Sequence, residues 1–310
     1  MADATIDTTG TVEGTSEGET GVRRRDFIED GLSAFQAGQV PYRVASVGRV
    51  TEPLTIVLCF YNEERWIGRT LASLAAQTDR RFSLVLVDNG STDGSVAAVR
   101  AALSHVSDIE VRLLTEPQPG KIHALRTGTM AATGRYVATV DADTVYPPHY
   151  VATLLGLFED RPDASCAIAF GLPAKGVGGW RHSKLRLFAH ALPRKCHSGG
   201  YGQTFHRTKL LDCGGFDARR WPFVLEDHEI VHRIAAAGPI LYHRDLYCFP
   251  SDRRSDRSAV SWSLGERIAY KLWPAAGMMG FFHRILASRF AARKADNLAL
   301  RNQDQWNGAP

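Results

Sequence analysis

Residues 54–60 read Leu-Thr-Ile-Val-Leu-Cys-Phe, a short and almost unbroken apolar run. A run of this length, rich in β-branched residues, is typical of a strand buried on both faces of a sheet. Similar runs at 82–88, 109–114 and 136–141 predict three further strands. The first four strands of the sheet are therefore expected within about 90 residues.

Segments with helical signals lie between these runs. Asn62 is predicted to cap a helix in which Ile67 and Leu71 recur at helical spacing. Further helices are predicted at 95–103 and 121–133. Strands that alternate with helices are typical of βαβ units, so the sequence predicts an α/β fold with a mostly parallel central sheet flanked by helices.

The second half of the chain gives weaker signals. Helices are predicted at 149–158, 184–191 and 226–237, and a strand at 240–242. From residue 258 onward the chain is predicted to be mostly helical.

The 310 residues carry a formal net charge of +4, which does not by itself indicate nucleic acid binding. Five cysteines lie far apart without a Cys-x-x-Cys pair, so we expect reduced thiols rather than a zinc site. Neither a signal peptide nor a membrane-spanning run of about 18 apolar residues is apparent. A cytoplasmic location is therefore expected.

Polar residues recur where the predicted strands end. Asp141-Ala142-Asp143 ends the strand at 136–141, and residues two apart on an extended segment point the same way. Two neighbouring carboxylates favour a divalent cation such as Mg²⁺ or Mn²⁺, which commonly shares its ligands with substrate phosphates. The alternative is a solvated acidic turn. Asn62 and Asp88 end two other strands, at the edge where parallel sheets bind ligands.

Four motifs follow one another in order: Phe60-Tyr61-Asn62-Glu63, Val87-Asp88-Asn89-Gly90-Ser91-Thr92-Asp93-Gly94-Ser95, Gly120-Lys121 with Ala124-Leu125 and Gly128, and Asp141-Ala142-Asp143. Together they resemble the inverting glycosyltransferases of family 2. The resemblance covers residues 53–250 and implies the Rossmann-like GT-A fold. It also implies a metal-dependent, hexosyltransferase-like enzyme (EC 2.4) that transfers sugar from a nucleotide-sugar donor.

The resemblance assigns donor contacts to five residues. Tyr61, Asn62 and Glu63 form the corner that packs against the base, and Asp88 binds the base or ribose. Lys121, beside a helix N-terminus, neutralises the diphosphate. Each assignment has an alternative: the Tyr61 corner as a helix entry, Asp88 as the cap of a turn, and Lys121 as a surface cation. Departing from the family pattern, Arg126 stands where Asn is usual.

The same resemblance implies that Asp141 and Asp143 hold Mg²⁺ or Mn²⁺, with Asp143 favoured as the direct ligand. Arg254, together with Arg253 and Arg257, either closes over the diphosphate or belongs to a solvated loop.

Glu226-Asp227 matches the acidic pair of the family. Asp227 is assigned as general base for the acceptor hydroxyl, and Glu226 positions it or the acceptor. The alternative is two acids in the first turn of a helix. His228 is expected to be a surface helix residue, and the glycines at 198–202 allow backbone to approach the substrates.

An amphipathic stretch at 281–294 alternates aromatic and aliphatic residues with cations. Its apolar face either lies on an anionic membrane surface or packs on the catalytic domain. Peripheral contact at the inner face of the membrane would suit a lipid-linked acceptor; a saccharide is the other acceptor class considered.

The predicted organisation has a disordered tail, a lead-in, a catalytic domain and a helical C-terminal region. Two other functions stay open, a non-catalytic nucleotide-sugar-binding subunit and a sugar nucleotidyltransferase. The predicted bounds are 1–21 for the tail, 22–52 for the lead-in, 53–257 for the GT-A domain (nucleotide half 53–145, acceptor half 146–257) and 258–310 for the helical region.

Overall fold

The structure is a computed structural model. It describes residues 42–44, 52–104, 106–173, 175–196, 199–251, 262–298 and 301. The predictions for the tail at 1–21 and for Arg253, Arg254 and Arg257 lie outside the described residues.

Eight strands form the central sheet, in the order β1-β4-β3-β2-β5-β9-β7-β10, and three short strands form a second sheet, β6-β11-β8. The strands are β1 Tyr42–Val44, β2 Leu54–Phe60, β3 Phe82–Asp88, β4 Val111–Thr115, β5 Tyr136–Asp141, β6 Thr144–Val145, β7 Cys166–Ile168, β8 Phe170–Gly171, β9 Gln203–His206, β10 Ile240–Leu241 and β11 Tyr247–Pro250.

The helices cover the sheet, and the predicted α/β class with a mostly parallel sheet is confirmed. They are α1 Ile67–Ala75, α2 Ser95–Leu103, α3 Lys121–Ala131, α4 Tyr150–Asp160, α5 Trp180–Ala191, α6 Arg207–Asp212, α7 Glu226–Ile234, α8 Leu264–Leu272, α9 Met278–Gly280 and α10 Ala287–Ala292, with a π-helical turn Phe281–Leu286 between the last two.

The register of the parallel strands aligns the acidic residues at one edge. β2 lies between β3 and β5, and Phe60 pairs with Asp88 while Cys59 pairs with Asp141. The two acids therefore flank the carboxyl end of β2.

β9 runs antiparallel to both of its neighbours, β5 and β7. Its first residue, Gln203, pairs with Thr139 near the carboxyl end of β5. The 3₁₀ turn Gly200–Gly202, which precedes β9, therefore lies at the same edge of the sheet as Asp141.

The predicted entry of the first helix is wrong. Asn62 has a φ of 53°, in the left-handed region, and α1 begins only at Ile67. The side chain of Asn62 accepts a hydrogen bond from the Thr92 backbone N–H at 2.8 Å, which fixes a corner instead of a cap. The helix predicted at 226–237 is also shorter than expected: α7 ends at Ile234.

The apolar face of residues 281–290 packs on the protein itself, which was the alternative to lying on a membrane surface. Phe282, Leu286 and Phe290 are fully buried, and the Phe282 ring lies 5.3 Å from that of Trp221. This face is therefore not available to a membrane. In the part of the chain that the structure describes, no helix combines the length and apolar character needed to span a bilayer.

Candidate functional site

Lys121 joins the two halves of the site. It is the first residue of α3, and its Nζ lies 2.6 Å from Oδ1 of Asp141 and 3.8 Å from Oε1 of Glu226. Asp141 ends β5, whereas Glu226 begins α7. The structure thus brings together a cation and two acids predicted from three separate motifs.

Asp227 lies beside this cluster, across a glycine. A β-carbon built on Gly200 would be 3.3 Å from Nζ of Lys121 and 3.5 Å from Cβ of Asp227. Gln203 donates from Nε2 to the Asp227 carbonyl at 3.0 Å, which ties α7 to β9. The absence of a side chain at position 200 leaves room between the lysine and the acid.

His228 does not lie on the surface as predicted. Its side chain is half-buried, and Nδ1 lies 3.0 Å from Oδ1 of Asp227. Its ring packs edge-on against Trp262 and Tyr270. No local pattern predicts this contact, because both aromatic partners come from the C-terminal region.

The two neighbouring acids have opposite pKa shifts. Burial raises the pKa of Glu226, although Lys121 opposes the shift. Burial also acts to raise the pKa of Asp227, but the charge and hydrogen bonds of His228, helped by Lys121, outweigh it and leave this pKa lowered. Asp227 is thus the acid better held as a carboxylate.

Asp143 lies where the second sheet meets the first. β11 pairs with β6, and Ser251 just beyond β11 donates from Oγ to Oδ2 of Asp143 at 2.8 Å. Asp141 and Asp143 are both buried.

These residues fit a metal that takes its other ligands from a substrate. Among the described residues, no group of three or more His, Cys, Asp and Glu side chains is arranged to hold a metal ion. Mg²⁺ is commonly held by only one or two carboxylates together with phosphates. Asp141 and Asp143 supply such a pair.

The predicted nucleotide corner is built from two loops. Asn62 bonds to the Ser91–Thr92 turn, and its backbone N–H donates to Oγ of Ser91 at 3.1 Å. Asp88 accepts a hydrogen bond from the Ser91 N–H at 2.9 Å. The buried Glu63 donates from its backbone to Oγ of Ser95 at 2.7 Å. Asn62, Glu63 and Asp88, three of the residues predicted for donor binding, therefore share one corner.

Asn89 is a residue that sequence reasoning missed. Its buried side chain donates to the carbonyls of Glu116 and Gln118 and accepts from the Gly120 N–H at 3.0 Å. Gly120 has a φ of 125° and directly precedes Lys121. Asn89 thus fixes the approach of Lys121 to the site.

Arg301 was also missed. Its guanidinium lies 3.8 Å from the centroid of the Tyr61 ring and donates to the Asn89 carbonyl. Burial lowers the pKa of Arg301, although the nearby Tyr61 and Asp88 oppose this. A residue from the C-terminal region therefore covers the predicted base-binding corner, 240 positions from Tyr61 in the chain.

Arg126 has a structural partner. It lies 3.6 Å from Asp217, which also pairs with Arg219. Burial acts to raise the pKa of Asp217, but the two arginines lower it overall. Arg126, at which this chain departs from the family pattern, thus contacts the turn at residues 214–217.

Comparison with known proteins identifies the family. The Glycosyl transferase family 2 profile matches residues 55–216, just over half of the chain. The mannosyltransferase PcManGT of Pyrobaculum calidifontis, solved with GDP-Man and Mn²⁺, aligns at a TM-score of 0.56 and 20% identity, over 92% of this chain and 89% of that one. This likeness shows a shared fold.

The names of two curated relatives include a polyprenyl phosphate. The undecaprenyl-phosphate 4-deoxy-4-formamido-L-arabinose transferase of Shewanella sediminis is 29% identical over 36% of this chain and 34% of its own. The glucosyl-dolichyl phosphate glucuronosyltransferase of Haloferax volcanii is 26% identical over 53% and 56%. The chain spans about a third of the length of several other curated relatives. Through the match over residues 55–216, the chain belongs to Glycosyl transferase family 2.

Proposed function

We propose that this protein transfers a sugar from a nucleotide-diphosphate sugar to an acceptor hydroxyl, with inversion at the anomeric carbon. The observation that carries the proposal is the position of Lys121. It is ion-paired with Asp141 on the donor side and lies 3.8 Å from Glu226 on the acceptor side. A diphosphate next to Lys121 would therefore have an acid pair within reach of its sugar.

The donor half supplies binding and charge. The Tyr61 corner and Asp88 hold the nucleoside, and Lys121 neutralises the diphosphate as it leaves. Asp141 and Asp143 would hold Mg²⁺ or Mn²⁺, which supplies further stabilisation of charge on the departing phosphate.

The acceptor half supplies the base. Asp227 takes the proton from the hydroxyl of the acceptor. His228 keeps Asp227 ionised and oriented through its contact with Oδ1 of the carboxylate. Glu226, whose pKa is raised, positions the acceptor beside Lys121. A base on the face opposite the leaving diphosphate gives direct displacement and hence inversion.

The acceptor class rests on the relatives. Two of them are named for undecaprenyl phosphate and dolichyl phosphate, and we propose a lipid-linked or saccharide acceptor of the kind used in glycoconjugate synthesis. A peripheral location at the membrane would suit such an acceptor.

Nucleotide release tests the activity and its metal dependence. The wild type is incubated with UDP-, GDP- and dTDP-sugars, with EDTA or with added Mn²⁺ or Mg²⁺. We expect release from one donor class, lost with EDTA and restored by the metal, because Asp141 and Asp143 are placed to bring it to the diphosphate. Binding without release would indicate a non-catalytic subunit, and pyrophosphate exchange would indicate a nucleotidyltransferase.

A second prediction concerns Arg301. We expect Arg301→Ala to raise the donor KM about two- to thirtyfold with little change in kcat, since a cation over an aromatic ring contributes about 0.5–2 kcal/mol. Steady-state kinetics measures this split. Arg289→Ala, at an exposed position on α10, is the matched control. A lowered KM would mean that Arg301 competes with the donor.

A further inference from the structure

Large apolar side chains are exposed mainly on two helices. Among the described residues, eight large hydrophobic side chains are exposed, and six belong to α5, its C-terminal cap or α8. The six are Trp180, Leu187, Leu192, Leu264, Ile268 and Leu272. We call their combined exposed face the α5–α8 surface.

On α8 the apolar residues form a stripe. Leu264, Ile268 and Leu272 are spaced four residues apart, so they share one helix face. The single acid of α8, Glu266, is buried where it caps the helix and pairs with Arg293 at 3.0 Å. The exposed part of α8 therefore carries no negative charge.

On α5 the apolar residues lie among cations. Arg181, Lys184 and Arg186 are all exposed, and Nζ of Lys184 lies 5.1 Å from the centroid of the Trp180 ring. The sequence contains no acidic residue between Asp163 and Asp212. Within α5 the exposed apolar side chains thus lie among cations and no acid, whereas both signs of charge are normally mixed on a soluble surface.

The two helices meet at their C-terminal ends. Nζ of Lys195, just after α5, donates to the carbonyls of Lys271 and Trp273 at 2.7 and 2.6 Å. The ammonium of Lys271 lies 6.0 Å from the ring centroid of Phe188. These contacts hold the C-terminal ends of α5 and α8 together.

We propose that the α5–α8 surface docks on an anionic lipid bilayer. The apolar side chains enter the boundary between headgroups and acyl chains, and the lysines and arginines contact anionic headgroups. The positive charge argues for this partner over a second copy, because two identical cationic faces repel each other. This surface differs from the buried face of 281–290, and the proposal does not depend on sugar transfer.

α5 is also connected to the candidate site. Its inner residue Ala189 packs in a cluster with Phe170 of β8, and β8 pairs with β11, which leads to Ser251 and Asp143. α5 would thus lie between a bound bilayer and the small sheet beside Asp143. Such a location would give the enzyme access to an acceptor held in the membrane.

Vesicle flotation tests the proposal. The full chain is mixed with vesicles of phosphatidylcholine alone or with phosphatidylglycerol, at low and high salt. We expect binding to the anionic vesicles, weakened by salt and roughly tenfold or more weaker on neutral ones. Equal binding to both vesicles, or none to anionic vesicles at low salt, would overturn the proposal.

Two variants separate the apolar and the charged contributions. Leu264→Ser/Ile268→Ser/Leu272→Ser removes the stripe, and Arg181→Glu/Lys184→Glu reverses the charge. Each is expected to weaken anionic vesicle binding about tenfold or more, whereas Leu298→Ser, an exposed leucine elsewhere, is the control.

All variants should keep the wild-type melting temperature and nucleotide release without vesicles, because the changed side chains are exposed and outside the candidate site. Unchanged vesicle binding in both variants would refute the assignment. Concentration-dependent dimerisation that the triple variant abolishes would instead assign the surface to a second copy. Wild-type release without vesicle binding would leave the proposed function intact.

Discussion

Asp227→Asn is expected to lower kcat about 10²- to 10⁴-fold, the usual loss when a general base is removed. The amide cannot accept the acceptor proton, yet it is close to the carboxylate in size. The donor affinity should stay near the wild-type value, because Lys121 and the Tyr61 corner are unchanged. Single-turnover nucleotide release and donor titration measure the two quantities separately.

Asp163→Asn is the matched control, because its carboxylate is highly exposed and outside the site. The pH profile distinguishes Asp227 from Glu226 as the base. The pKa of Asp227 is lowered from 3.8, whereas that of Glu226 is raised from 4.5. An acid limb of kcat above 4.5 that disappears in Glu226→Gln would reassign the base to Glu226.

Glu229→Gln is expected to destabilise the protein by about 3–5 kcal/mol, the cost of leaving a buried charge without its partner. Glu229 is almost fully buried and receives two hydrogen bonds from Arg233, at 3.0 and 2.7 Å. Arg233 also donates to the carbonyls of Cys213 and Gly215. Urea unfolding followed by tryptophan fluorescence measures the change.

The pH dependence of unfolding gives a second measurement. Burial acts to raise the pKa of Glu229, but Arg233 and His283 outweigh it and lower this pKa to about 2. A lowered pKa stabilises the fold above the ordinary value of 4.5, and this contribution is lost as the pH falls from 4.5 towards 2. The wild type should lose stability in that range more steeply than Glu229→Gln.

Glu229→Leu/Arg233→Met is the informative companion, because replacing both partners leaves no buried guanidinium without its carboxylate, although the Cys213 and Gly215 carbonyls lose their donor. It should be closer to the wild type than Glu229→Gln is. If Glu229→Gln unfolded at the wild-type urea concentration, the ion pair would contribute little to stability.

The parallel part of the sheet was predictable because its strands are buried on both faces. β2, β3 and β5 are almost entirely apolar, and such runs stand out without an alignment. β7 and β9 were not predicted, because they are three or four residues long and follow no clear period. Their antiparallel pairing depends on strands far away in the chain.

The site was predictable where residues follow strand or helix ends. Lys121, Asp141 and Glu226 were each inferred from a local motif, and the structure brings them within ion-pair distance. The contacts of His228 and Arg301 were not predictable. Each depends on the C-terminal region folding back on the catalytic domain, which no local pattern records.

The order of synthesis has a consequence for the cluster around Trp221. The last strand, β11 of the second sheet, ends at Pro250, but Trp221 packs against Phe282 and Phe290, and Phe223 pairs with Asp296. Until residues 282–296 have been synthesised, the indole of Trp221 lacks these partners and is open to chaperones. Synthesis of residues 282–296, rather than completion of the strands, is therefore the step that buries Trp221 and lowers the risk of aggregation.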